Sequence, residues 1–148
     1  MTDLLSSTAE LVDVPSVSHG ERALADLVDA RLRAASWLEV ERLGDNVVAR
    51  TSLGRSQRLV LAGHLDTVPP VNNADARVVG DTLWGVGASD MKGGLAVMLD
   101  LALTTPEPSV DLTWCFYARE EVGRAESGLL EVWTERPDLL AGDAAILC

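Results

Sequence analysis

Arg58-Leu59-Val60-Leu61-Ala62-Gly63-His64-Leu65-Asp66-Thr67-Val68-Pro69-Pro70 is the stretch that decides the fold. Its opening residues form a short apolar run with branched side chains, which predicts a buried strand. The run ends in a glycine, then a histidine and a carboxylate two residues apart, then two prolines that cannot continue a ladder. In extended chain, residues two apart project to one face, so His64 and Asp66 stand side by side at the carboxyl end of the strand. Open α/β sheets place their ligand sites at such ends.

Upstream, the apolar positions between Leu4 and Val14 have helical spacing, and Pro15 closes that helix. Ser18-His19-Gly20-Glu21 has the form of a capping box, with Ser18 as N-cap and Glu21 at the third helical position. A helix to about Ala34 follows, with Leu24, Leu27, Val28 and Leu32 on one face. His19, at its start, is read as exposed and structural. Trp37–Arg42 and Asn46–Thr51 alternate around Leu43-Gly44-Asp45 as a hairpin.

Downstream, Val78, Val79, Leu83 and Trp84 around Gly80-Asp81 suggest a second short hairpin. The glycine-rich stretch Gly85–Gly94 leads into a helix from about Gly93 to Thr104. Asp111–Ala118 is a strand ending in Arg119-Glu120-Glu121-Val122-Gly123. A helix over Ser127–Glu135 and an apolar strand over Asp143–Cys148 complete the chain. Strands alternating with helices predict an α/β fold: a largely parallel mixed sheet, helices on both faces, hairpins toward one edge.

At 148 residues, one domain is the default, and a core can be buried. A net charge of −11 argues against nucleic acid or an anionic membrane surface as partner. There is no long apolar segment, and the first residues lack the positive region of a signal peptide. Cys115 and Cys148 both lie in apolar strand-like runs, and are read as small buried hydrophobes of a reduced, cytoplasmic protein.

The polar residues gather at strand ends. His64 and Asp66 end one strand, Asp90 lies between a glycine-rich loop and a helix, and Glu120 and Glu121 end another strand. Converging at one sheet edge, these carboxylates would repel one another and raise their pKa values unless a cation were held among them. Nitrogen and oxygen donors of this kind suit zinc and similar divalent ions. A carboxylate shared between two of them would make a two-metal hydrolytic site.

Gly63-His64-Leu65-Asp66-Thr67-Val68-Pro69, Gly87-Ala88-Ser89-Asp90-Met91-Lys92-Gly93-Gly94 and Glu120-Glu121-Val122-Gly123 stand in the order and approximate spacing of one family. The chain resembles the N-terminal part of the co-catalytic zinc amidohydrolases, which include succinyl-diaminopimelate desuccinylase, acetylornithine deacetylase, glutamate carboxypeptidases and aminoacylases. The stretch Glu131–Asp143 looks most like actinobacterial-type succinyl-diaminopimelate desuccinylases. The resemblance implies two zinc (or cobalt) ions, with His64 and Glu121 each ligating one and Asp90 bridging them. It also implies that Asp66 holds the His64 imidazole from behind, that the Asp90–Met91 peptide bond is cis, and that Glu120 is the general base. The implied reaction is hydrolysis of an N-acylated amino acid, N-succinyl-LL-2,6-diaminopimelate, to succinate and LL-diaminopimelate.

Two departures from the family stand out. Gly85-Val86-Gly87 replaces the usual Gly-Arg-Gly. The family's further acidic ligand, its histidine ligand near the C-terminus and its dimerising lid domain have no counterpart in residues 1–148. The expectation is an N-terminal fragment of the catalytic domain, inactive alone, from an enzyme that is a homodimer at full length. Acetylornithine deacetylase or a dipeptidase of the same family, a non-enzymatic remnant and a plain α/β binding domain are the alternatives.

Overall fold

The strand expected from the central apolar run is β3, Arg58–His64, and the remaining elements pack around it in a computed structural model that describes residues 3–148. Before it come helices α1, Leu4–Val12, and α2, Arg22–Arg33, and the hairpin strands β1, Glu39–Leu43, and β2, Asn46–Arg50. After it come the short hairpin β4, Arg77–Val79, and β5, Thr82–Trp84, then helix α3, Gly93–Thr104. Strand β6, Asp111–Tyr117, helix α4, Gly128–Glu135, and strand β7, Ala144–Leu147, complete the order.

The main sheet runs β1-β2-β6-β3-β7. Strands β6, β3 and β7 are mutually parallel, and the β1–β2 hairpin adds antiparallel to β6. Both expected hairpins are present, the second as a separate two-stranded sheet.

Strand parity sorts side chains onto two faces. Val47, Ala49, Leu61, Trp114 and Phe116 pack with Leu11, Leu24, Val28, Leu32, Leu95 and Leu99 beneath α1, α2 and α3. On the other face Val48, Ala62 and Cys115 meet Val132 of α4 and Leu139. Trp114 and Phe116 are wholly buried, each contributing roughly 1.5–3 kcal/mol by leaving water.

This division positions the site. The chain leaving β3 returns to β6 by way of α3 on one face, whereas the chain leaving β6 returns to β7 by way of α4 on the other. Two adjacent parallel strands whose outgoing chains part to opposite faces open a crevice at their carboxyl ends. Here those ends are His64 and Tyr117, paired in register.

Two expectations are corrected. The capping box on α2 does not form: the helix starts at Arg22, and its N-cap Glu21 makes no side-chain cap bond. The Ser18 hydroxyl goes instead to Asp66 and the Glu21 carboxylate to Arg119, because distant strand ends offer them stronger partners than the local helix start. Asp3, not singled out from sequence, does cap α1, accepting the Leu5 N–H. Cys115 is buried as expected, but Cys148 is exposed, since it follows the outer strand β7, whose residues are all exposed. Among the described residues no helix is long and apolar enough to cross a membrane.

Candidate metal centre

Beyond His64 the chain continues extended, and residues 16–18 run beside residues 65–67. Thr67 N–H donates to the Ser16 carbonyl, Ser18 N–H to the Thr67 carbonyl, and the Ser16 hydroxyl to the Leu65 carbonyl. This strap buries Asp66 completely. The Asp66 carboxylate then accepts four hydrogen-bonding groups or near neighbours: Ser18 Oγ at 2.7 Å, the N–H groups of Glu120 and Glu121 at 2.9 and 3.0 Å, and His64 Nδ1 at 3.4 Å. Burial alone would raise its pKa, but those donors reverse the sign and hold it far below the usual carboxylate range.

The His64 imidazole is itself buried and pinned at both nitrogens. Nδ1 lies 3.0 Å from the Asp66 backbone carbonyl, nearer than the Asp66 carboxylate, and Nε2 lies 2.9 Å from Asp90 Oδ1. Burial pulls the imidazole pKa down, and the flanking carboxylates outweigh it, so that it rises to about 9. The carbonyl on Nδ1 suits a proton at that nitrogen, which leaves Nε2 facing Asp90 and the crevice. The backbone N–H of His64 points to the Met91 sulfur at 3.2 Å.

Asp90 sits in the turn that joins the glycine-rich loop to α3, and the Asp90–Met91 peptide bond is cis, as the family resemblance implied. Its side chain is 73% exposed and touches His64 Nε2. Two residues on, Lys92 is buried and donates to the Val14 carbonyl at 2.8 Å, and burial brings its ammonium down to about 8.

The strand β6 ends in a sharp change of direction. Arg119 takes φ +61, in the left-handed region, so two adjacent glutamates that would diverge in extended chain are both turned toward His64. One donor atom from each of His64, Glu120 and Glu121 lies within 4.8 Å of the others. The Glu121 pKa is raised by burial and by Asp90 and Glu120, against the pull of His64. Mutual repulsion of the carboxylates thus shows itself at this residue.

The five residues singled out from sequence are therefore neighbours in space, although Asp90 joins by its contact with His64 and lies outside the close group of three. His19 is not in the group of donor atoms; it is exposed and paired with Glu126 at 3.3 Å. Sequence reasoning missed the site roles of Ser18, which is partly buried, and of Glu21 and Asn46, which are fully buried; their side chains hold the strand ends. The sequence signal for Ser18 and Glu21 was a capping-box pattern that pointed to a local helix start, and for Asn46 only its polarity at the head of an apolar strand.

Comparison with known proteins places this geometry. The chain is 51% identical over 146 residues to a Mycobacterium tuberculosis protein whose assignment as a succinyl-diaminopimelate desuccinylase is itself provisional, covering 98% of this chain and 41% of that one. It is 41% identical over 150 residues to the succinyl-diaminopimelate desuccinylase of Corynebacterium glutamicum, with the same coverage of 98% and 41%. The chain thus spans 41% of the length of these curated relatives. An M20 family metallo-carboxypeptidase from Sulfolobus solfataricus superposes with a TM-score of 0.82 over 99% of this chain and 37% of its own, at 21% identity, a likeness of fold. Residues 60–146, more than half of the sequence, match peptidase family M20/M25/M40, and the chain belongs to that family.

Proposed function

We propose that this chain carries one part of a two-metal centre that hydrolyses N-acyl amides. His64, Asp90 and Glu121 are its metal ligands, Glu120 its general base, and Asp66 the group that fixes His64. The observation that carries this reading is the gathering of His64, Glu120 and Glu121 donor atoms within 4.8 Å at the ends of two adjacent strands, with Asp90 on His64 Nε2. One imidazole and several carboxylates form a donor set suited to zinc, or to cobalt in its place. The raised pKa of Glu121 fits a cluster built to surround positive charge.

A divalent ion held there would polarise the amide carbonyl and lower the pKa of water toward about 7. The protein residues do the rest. Asp66 fixes the ring of His64 through Nδ1, leaving Nε2 directed at the cluster. Glu120 is exposed, and its backbone is held by Asp66. Its carboxylate can take a proton from the attacking water and return it to the leaving amine.

The substrate is N-succinyl-LL-2,6-diaminopimelate, a reading supported by the names of the relatives at 51% and 41% identity. Residues 1–148 correspond to the N-terminal part of a catalytic domain, supported by coverage of 98% of this chain against 41% of each relative. A cytoplasmic location suits an amino-acid biosynthetic step and two free cysteines. Each metal finds one private ligand here plus the shared Asp90, fewer than the roughly three protein ligands of a hydrolytic zinc. The chain alone therefore binds metal weakly and turns over no substrate.

The test is a Co2+ titration of this chain, followed by its visible absorption and by NMR shifts, with Asp90→Ala beside the wild type. Weak binding that perturbs His64 and Glu121 and disappears in Asp90→Ala is expected. Binding that is indifferent to Asp90 would sink the ligand assignment. Hydrolysis of N-succinyl-LL-2,6-diaminopimelate by these residues alone, above a metal-free blank, would sink the incompleteness.

A further inference from the structure

Four consecutive backbone N–H groups lead into the acidic pair, and each is taken by a side chain from a distant part of the sequence. Ala118 donates to Asn46 Oδ1 at 2.9 Å, Arg119 to Glu21 Oε1 at 3.0 Å, Glu120 to Asp66 Oδ1 at 2.9 Å and Glu121 to Asp66 Oδ2 at 3.0 Å. All three acceptor residues are 0% exposed. The ladder with β3 ends at Tyr117, so these amides would otherwise be orphans at the end of a strand.

Asp66 already has a role behind His64. Glu21 and Asn46 are not in the group of donor atoms at the centre, and Glu21 is an expensive residue to keep. Its Oε2 is buried with no partner among the described residues, which destabilises a fold. Helix α2 draws no side-chain cap from it. Its one side-chain hydrogen bond goes to the residue that adopts φ +61 and thereby turns both glutamates inward.

We propose that Glu21, supported by Asn46, is a positioning residue of the metal centre: it locks the left-handed turn at Arg119, so that the Glu120 and Glu121 carboxylates face His64 before any metal arrives. This rests on the reading of Glu120 and Glu121 given above. A residue that orients metal-binding groups through the backbone acts on metal affinity as well as on stability.

The experiment compares wild type, Glu21→Ala and Glu21→Gln in this chain by two measurements. The first is amide hydrogen exchange in chelator, resolved by residue. The second is Co2+ affinity, measured well below the melting temperature. Glu21→Ala should speed exchange at Arg119, Glu120 and Glu121 by about tenfold over the amides of the β2–β6 ladder, and weaken Co2+ about 10–100-fold. Glu21→Gln keeps an acceptor oxygen for Arg119 and should restore both to within about threefold of wild type. Exchange that rises evenly across the sheet, unchanged exchange at the turn, or unchanged Co2+ affinity in Glu21→Ala would each overturn the proposal. Should Glu21→Ala not fold, Glu21→Leu, which fills the space without an acceptor, is read in the same way. A wild type that takes up no Co2+ overturns the metal reading itself, and the exchange pattern then decides whether Glu21 holds the turn.

Discussion

Gly128 is packed directly onto Ala118: its N–H donates to the Ala118 carbonyl at 2.8 Å, and α4 begins at that contact. A Cβ at 128 would stand 2.6 Å from the Ala118 oxygen and 2.8 Å from its nitrogen, and would overlap Asn46 Oδ1. The Ala118 atoms are backbone and cannot yield, and the Asn46 amide is wholly buried and held by the Ala118 N–H. Gly128→Ala should therefore destabilise the protein by about 1–3 kcal/mol, as overpacking does. Urea unfolding measures this, and a change within about 0.5 kcal/mol would show that α4 slides freely away.

Asp66 presents both carboxylate oxygens to N–H donors of the acidic turn. Asparagine would keep one acceptor and turn an NH2 group toward the other amide. Asp66→Asn should weaken Co2+ binding about 10–100-fold, the usual cost of disturbing groups behind metal ligands. Ser18→Ala, which removes a single donor to the same carboxylate, should fall between wild type and Asp66→Asn. Equal affinities across the three proteins would refute the role of Asp66.

Far from the metal centre, Asp111 accepts the Thr51 hydroxyl at 2.7 Å and the N–H groups of Leu53 and Arg55 at 2.9 and 2.8 Å. Burial works to raise its pKa, but these donors win and bring it down from 3.8 to about 2. A carboxyl lowered on folding contributes stability above its unfolded value, and that stability is lost as pH falls through the folded one. Wild type should therefore lose stability as pH drops from about 4 to about 2, whereas Asp111→Asn should start lower and fall less steeply in that window. Parallel acid limbs in denaturant melts would contradict this.

Burial pushes the Cys115 thiol up to about 12, whereas Cys148 is exposed. A thiol reagent at neutral pH should modify Cys148 at once and Cys115 only after denaturation, because the thiolate is the reacting form. Rapid modification of both in the native state would mean that the sheet opens easily between α4 and β6.

Much of this architecture is legible from residues alone. Gly63, Pro69 and Pro70 bracket the end of β3, and glycine and proline likewise fix the limits of α3 and α4. The acidic groups at strand ends are legible as well, because carboxylates at such positions need a reason to be there. What stayed hidden is the service of Ser18, Glu21 and Asn46. A local pattern suggested a capping box, a bond between residues three apart. The actual partners lie 48, 98 and 72 positions away, and only the closed fold brings them within reach. Exposure of Cys148 was hidden for a related reason: an apolar run gives the strand but not its place in the sheet order.

The four captured amides at residues 118–121 also make the acidic turn a late event in the life of the chain. Its holders come from the start of α2, the start of β2 and the segment after β3, so the turn is finished only when segments spread from residue 21 to residue 121 have come together. Closing such widely separated loops comes after local structure has formed. A divalent ion that binds here should thus recognise only fully folded molecules, and cobalt colour would serve as a stopwatch for the last step of folding.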